Sequence, residues 1–195
     1  MDKRNGNLKG GGWTLAIGAY SVLTGSASPD FYAVYNGEDI GHPLKGVVAA
    51  IATSAGTWEA AQIAVNGFAE GYFGSGETLS PDHAAALSLT SINDWLFQQS
   101  KDSPPGGEMT ASLSAVLFAG RRLDIVHVGG CRVYVCRNGQ TIPLTVEYRR
   151  DSSRLIGADE ALRIDRFEHE AKAGDRFVLV GAGTAAHVES LPLAD

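Results

Sequence analysis

The sequence predicts a layered α+β protein built mostly from antiparallel sheets. Three observations carry that reading. Residues 112–144 read as short apolar strands in a row, broken by turn residues. Two stretches of helical period, Thr57–Phe73 and Ser80–Gln99, lie just upstream. A short apolar strand, Gly46–Ala52, precedes the helices, and a strand leading into a helix start, Phe177–Val180 and then Gly181-Ala182-Gly183, comes near the end.

Taken in order, residues 1–12 are polar and glycine-rich and read as a flexible N-terminal segment, with one domain over 13–195. Gly10-Gly11-Gly12 lacks the Lys-Ser/Thr of a phosphate loop. Trp13–Leu23 and Asp30–Tyr35 read as the first two strands, with a turn-rich connection over Asn36–Lys45. In the first helix Trp58, Ala61, Val65, Phe68 and Tyr72 fall on one stripe. The second opens at Ser80-Pro81-Asp82, a hydroxyl cap, a proline at the first helical position and an acid at the positive end of the dipole. Its inner face is expected from Leu89, Ile92, Trp95 and Leu96.

The strand run follows: Ser112–Phe118, Leu123–Val128, Arg132–Cys136 and Thr141–Leu144, read as the middle of one sheet. Asn138-Gly139 marks its tightest hairpin, because both central residues of a type I′ turn need positive φ. Val146–Asp165 is polar, with Arg149, Arg150 and Arg154 close together and balanced by acids. Arg163–Glu168 is a further strand. No internal repeat or linker divides the chain.

Composition narrows the function classes. Over 195 residues, 44% are hydrophobic and 19% charged, an ordinary globular mix. The net charge of −6 argues against a nucleic-acid backbone as partner. No run approaches the ~18 apolar residues of a membrane span, and no apolar segment follows Lys3-Arg4 to make a signal peptide. Cys131 and Cys136 read as two reduced packing residues on opposite faces of a strand. All of this describes a cytoplasmic protein with no membrane and no nucleic-acid partner.

His127-Val128-Gly129-Gly130-Cys131-Arg132-Val133-Tyr134 resembles a motif of the metal-dependent serine/threonine protein phosphatases, the type 2C or PPM family. There a strand ends in His-Val-Gly-Asp, followed by Ser or Ala, Arg and an aromatic. Arg154-Leu155-Ile156-Gly157-Ala158-Asp159 is similar to the family's Leu-Gly-x-Asp link. Gly174-Asp175-Arg176-Phe177-Val178-Leu179-Val180 is similar to its strand ending in Asp-Gly. The resemblance covers roughly residues 14–188 and is nearest to the phosphatase half of bacterial kinase/phosphatase fusions. It implies an α/β/β/α sandwich of two antiparallel sheets flanked by helices. It also implies hydrolysis of phosphoserine and phosphothreonine by a water on two Mg²⁺ or Mn²⁺ ions held by Asp carboxylates.

The resemblance stops short of those carboxylates. Asp30 alone matches a family acid. Thr53 and Ser54 stand where the family has its first Asp-Gly, Gly130 at the His-Val-Gly-Asp acid, and Ala182 at the third Asp-Gly. Val22–Pro29 contains no Arg to grip phosphate, and no terminal Asp-Asn precedes Asp195, so the domain reads as C-terminally short. The expectation is therefore a pseudophosphatase: no catalytic residue, no metal, no cofactor, and a regulatory or protein-binding role with a kinase or phosphoprotein as partner. The alternative is a divergent metal-dependent phosphatase, using Mg²⁺ or Mn²⁺ and recruiting Asp30, Asp124, Glu147 and Asp151. A missing edge strand would also leave a sheet edge open to a homodimer. His127, mid-strand among apolar residues, reads as a satisfied core histidine rather than a catalytic acid.

Overall fold

The computed structural model describes residues 5–10, 13–19, 28–101, 103–104, 107–146 and 154–188. Its strands are β1 (Asn5–Gly10), β2 (Trp13–Gly18), β3 (Asp30–Asn36), β4 (Val47–Ser54), β5 (Ala111–Phe118), β6 (Arg122–Val128), β7 (Arg132–Arg137), β8 (Gln140–Pro143), β9 (Asp165–Glu170) and β10 (Arg176–Val180). The helices are α1 (Glu59–Gly74), α2 (Pro81–Lys101) and α3 (Ala182–Val188). All strand pairs are antiparallel. One sheet runs β3-β4-β5-β6-β9, a second β10-β7-β8, and β1-β2 form a separate hairpin.

Strand alternation builds the layers. Val48, Ala50 and Ala52 of β4, with Leu113, Ala115 and Leu117 of β5, pack against Ala61, Val65 and Phe68 of α1 and Leu89 and Leu96 of α2. The other face of β4 and β5, with that of β6, presents Val47, Val116, Phe118, Leu123 and Ile125 to Val133, Phe177 and Leu179 of the second sheet. Because β5 is covered on both sides it is buried along its whole length. The result is the helix-flanked sandwich of two antiparallel sheets that the resemblance implies.

The strand run is not the middle of one sheet. β5 and β6 belong to the five-stranded sheet, β7 and β8 to the other, and β6 makes no pairing with β7. The change occurs at residues 129–131, where Gly129 takes φ +80° and Arg132 Nη1 donates to the Cys131 carbonyl at 2.8 Å. A two-glycine break serves equally for a strand that returns beside its predecessor and for one that crosses to a second layer.

Other departures are local. Residues 5–10, expected as flexible, form β1 against β2. The first strand ends at Gly18, and 20–27 fall outside the described residues. Trp58 precedes α1 and is exposed, and Trp95 is 48% exposed rather than inward. Leu89, Ile92 and Leu96 already fill the inner stripe of α2, and Trp95 sits at its outer margin. The late strand is Asp165–Glu170, shifted toward the next turn. Cys131 lies just ahead of β7 rather than within it; it and Cys136 are buried and free.

Candidate functional site

Residues of one parity on β4, β5 and β6 face the gap between the sheets. At one end of that face they change from apolar to polar. Thr53 pairs with Ser112 across β4 and β5, and Ser114 pairs with His127 across β5 and β6. Asp30 opens β3 directly opposite Thr53. The sheet register thus gathers polar residues of β3, β4, β5 and β6 at one end of the gap.

Thr53 is the centre of the group. Its hydroxyl donates to Asp30 Oδ1 at 2.5 Å and accepts the Ala182 backbone N–H at 2.8 Å. Cys131 Sγ stands 3.5 Å from the same oxygen. Since the Thr53 proton is given to Asp30, the thiol is the donor in that contact. Burial, the largest influence, pushes the Cys131 thiol up to about 12, so it stays protonated and unreactive.

The backbone closes around this junction. Gly130 N donates to Ser112 Oγ at 2.9 Å, and a Cβ placed on Gly130 would stand 2.9 Å from Ala182 Cβ. A Cβ on Gly181 would lie 2.4 Å from Asp30 Oδ1. Four of the positions singled out from sequence, Asp30, Thr53, Gly130 and Ala182, therefore meet. Ser54 does not join them: its Oγ accepts the Ala61 N–H at 2.8 Å and donates to the Trp58 carbonyl at 3.0 Å, fixing the start of α1.

These residues do not fit two divalent ions. Hard cations such as Mg²⁺ and Mn²⁺ are held by several anionic oxygens. The group offers one carboxylate, already bonded to a hydroxyl, and a protonated thiol. Gly130 and Ala182, the positions of two absent acids, are pressed together. Asp124 cannot supply the deficit. It pairs with Leu117, five residues along β5 from Ser112 or about 17 Å at ~3.3 Å per residue. It also lies on the helix-facing side of the sheet, where its charge acts on Tyr72. Glu147 and Asp151 fall outside the described residues, as do Arg149 and Arg150. Arg154 pairs with Asp165 at 3.2 Å.

His127 is a satisfied core residue. Its Nδ1 lies 2.9 Å from Ser114 Oγ and its Nε2 3.2 Å from the Val146 carbonyl. Nε2 carries a proton, since a carbonyl can only accept, and in the neutral ring Nδ1 accepts from the Ser114 hydroxyl. Burial above all, and then the charge of Arg132, lower its pKa to about 4. The unfolded chain takes up this proton near pH 6.5 and the folded chain only near 4. The stabilisation is therefore complete above pH 6.5 and is lost as pH falls through about 4, amounting to about 3 kcal/mol. Urea unfolding across that range should show this excess loss in the parent over His127→Gln, which has no proton to gain; parallel profiles would contradict the assignment.

Sequence reasoning named Asp30, Thr53, Gly130 and Ala182 by position, but missed Cys131 and Ser112 as members of the group. The register Thr53↔Ser112 is the signal that joins them, and it exists only once the strands are paired.

No family model matches the chain. Among curated proteins, the serine/threonine protein phosphatase PstP of Mycobacterium tuberculosis is 30% identical over 112 residues, covering 47% of this chain and 22% of PstP. The chain thus matches less than a quarter of that relative's length. Among solved structures, PppA of Pseudomonas aeruginosa, described as a key regulatory component of T6SS, superposes with TM-score 0.65 at 14% identity over 91% of this chain and 75% of its own. The S. agalactiae serine/threonine phosphatase gives 0.65 at 15% identity, over 91% and 78%. The catalytic domain of PstP in complex with two manganese ions gives 0.56 at 20% identity, over 91% and 76%.

Proposed function

We propose, for a chain that carries the fold of the metal-dependent type 2C serine/threonine phosphatases, that the domain is catalytically inactive and works as a regulatory, protein-binding module in phosphorylation signalling. The observation that supports this most is the Thr53 hydroxyl, bonded at once to Asp30 and to the Ala182 N–H where the resemblance calls for metal-binding acids. Packing and catalysis rest on different residues, so a sandwich core survives the loss of its ligands. The proposed partner is a protein kinase or a phosphoprotein, and the proposed location is the cytoplasm, in keeping with two reduced cysteines.

Calorimetric titration of metal-stripped protein with Mn²⁺ at neutral pH tests the reading, together with hydrolysis of an aryl phosphate. The expected result is no saturable heat up to millimolar Mn²⁺ and no turnover. Saturable binding of two ions with turnover abolished by Asp30→Ala would overturn it and favour the divergent enzyme.

A further inference from the structure

α1 and α2 pack side by side on the five-stranded sheet, and their outer faces leave an open groove of about 330 Å³. Gly67 and Gly71 on α1 let α2 come close, since a Cβ on Gly71 would stand 2.4 Å from Ser88 Oγ and one on Gly67 3.2 Å from Ile92, and Ser88 and Ser91 line the groove beside them. Ile63 and Ile92 form its walls. Leu87 and Trp95 stand on its α2 rim, 56% and 48% exposed. Eight residues separate them, about 12 Å along the helix at ~1.5 Å per residue. That is near the ~10.5 Å between the i and i+7 anchors of a helix laid in a groove. Trp is also among the residues enriched at the anchoring positions of protein interfaces.

The surroundings of the groove are acidic. Residues 59–101 contain Glu59, Glu70, Glu77, Asp82 and Asp94 against Lys101, a balance of −5 + 1 = −4 within a chain of net −6. Asp82 is paired with Arg166 at 3.4 Å. Among the described residues Glu59, Glu70 and Asp94 make no ion pair, and all three border the groove by helical position. Glu59 lies four residues before Ile63, Glu70 three after Gly67 and Asp94 three after Ser91, the spacings that make helix-surface neighbours.

We propose that this groove docks an amphipathic helix of a partner protein, with an apolar stripe in the trough and Lys or Arg flanking it toward the acids. A second copy would bring the same acidic rim against itself, and an anionic lipid surface or nucleic acid would be repelled likewise. The inference rests on the domain being a binding module, but not on the state of the Asp30–Thr53 junction, which lies on the far side of the sheet from α1 and α2.

The test is fluorescence anisotropy of a labelled 14-residue helical peptide (a probe length of about four turns) made only of Leu and Lys, against a Leu/Glu peptide of the same pattern. The Leu/Lys peptide is expected to bind saturably, and Trp95→Ala or Leu87→Ser to weaken it about tenfold each. Leu44→Ser, at an apolar residue 75% exposed outside α1 and α2, should leave it unchanged. Glu70→Lys with Asp94→Lys should reverse the preference toward the Leu/Glu peptide. Equal binding of both peptides, an equal loss in Leu44→Ser, or no binding by the folded chain would overturn the proposal. Mn²⁺ titration of the same sample reads the metal junction separately, so either reading can fail while the other stands.

Discussion

Returning an acid to the strand corner, as Gly130→Asp, is expected to lower the unfolding free energy by about 3 kcal/mol or more and still leave the chain without saturable Mn²⁺ binding. A Cβ at 130 stands 2.9 Å from Ala182 Cβ, closer than two carbon atoms pack. Relieving such overlap in a filled interior costs about 1–3 kcal/mol. The new carboxylate then enters a partly buried space that already holds Asp30, and two like charges there disfavour each other. In a fold that retained its ligands the same residue would be neutralised by metal; here the Thr53 hydroxyl and the Ala182 N–H already satisfy each other. Urea unfolding of parent and variant measures the first part, and calorimetry the second. A variant as stable as the parent that binds Mn²⁺ would show the site to be one residue from repair.

The second large effect is expected at Gly157, which adopts φ +83° in the link between β8 and β9, packed against α2. Its N–H donates to Asn93 Oδ1 at 2.8 Å, and Asn93 Nδ2 in turn holds the Asp159 carbonyl at 2.9 Å. A Cβ there would meet the Met109 carbonyl oxygen at 2.4 Å and Leu96 Cβ at 2.8 Å. Gly139, at φ +73° in the β7–β8 turn, has nothing within 4 Å of its Cβ position. The two alanine variants therefore separate backbone strain from crowding. Gly139→Ala should lose about 1 kcal/mol, the left-handed penalty alone. Gly157→Ala should lose about 3 kcal/mol, with overpacking added. Equal losses in urea unfolding would mean that the Asn93 neighbourhood yields more easily than its contacts indicate.

These two glycines also mark the limit of what the sequence discloses. Asn138-Gly139 was legible because turn chemistry is local: both residues adopt positive φ, 52° and 73°, as a type I′ hairpin requires. Gly157 was legible only through a family resemblance, since the atoms that exclude a side chain come from Met109 and Leu96. The helices, their order and most strands followed from periodicity, a property of neighbouring residues. What periodicity did not carry was partition between sheets, because alternation is the same whichever sheet a strand joins. The junction divides in the same way. Asp30, Thr53, Gly130 and Ala182 could be marked as altered positions. That Thr53 bonds Asp30 and Ala182, that a side chain at Gly130 would strike Ala182, and that Ser54 turns away to α1, depends on register and on a corner no local pattern encodes.

The splitting of the strand run also bears on how the chain comes apart. β6 pairs with β9 and β7 pairs with β10, so each pairing spans residues that belong to the other sheet. In chain order the two closures overlap rather than follow one another. Neither sheet is a contiguous stretch of sequence, and no single cut between β6 and β9 leaves the five-stranded sheet whole, since β9 always parts from β3–β6. Detaching β9 removes an edge of the first sheet and at the same moment slackens the tether that returns β10 to the second. The two layers are thereby bound into one cooperative unit by the threading of the chain itself, in addition to the apolar contacts between them.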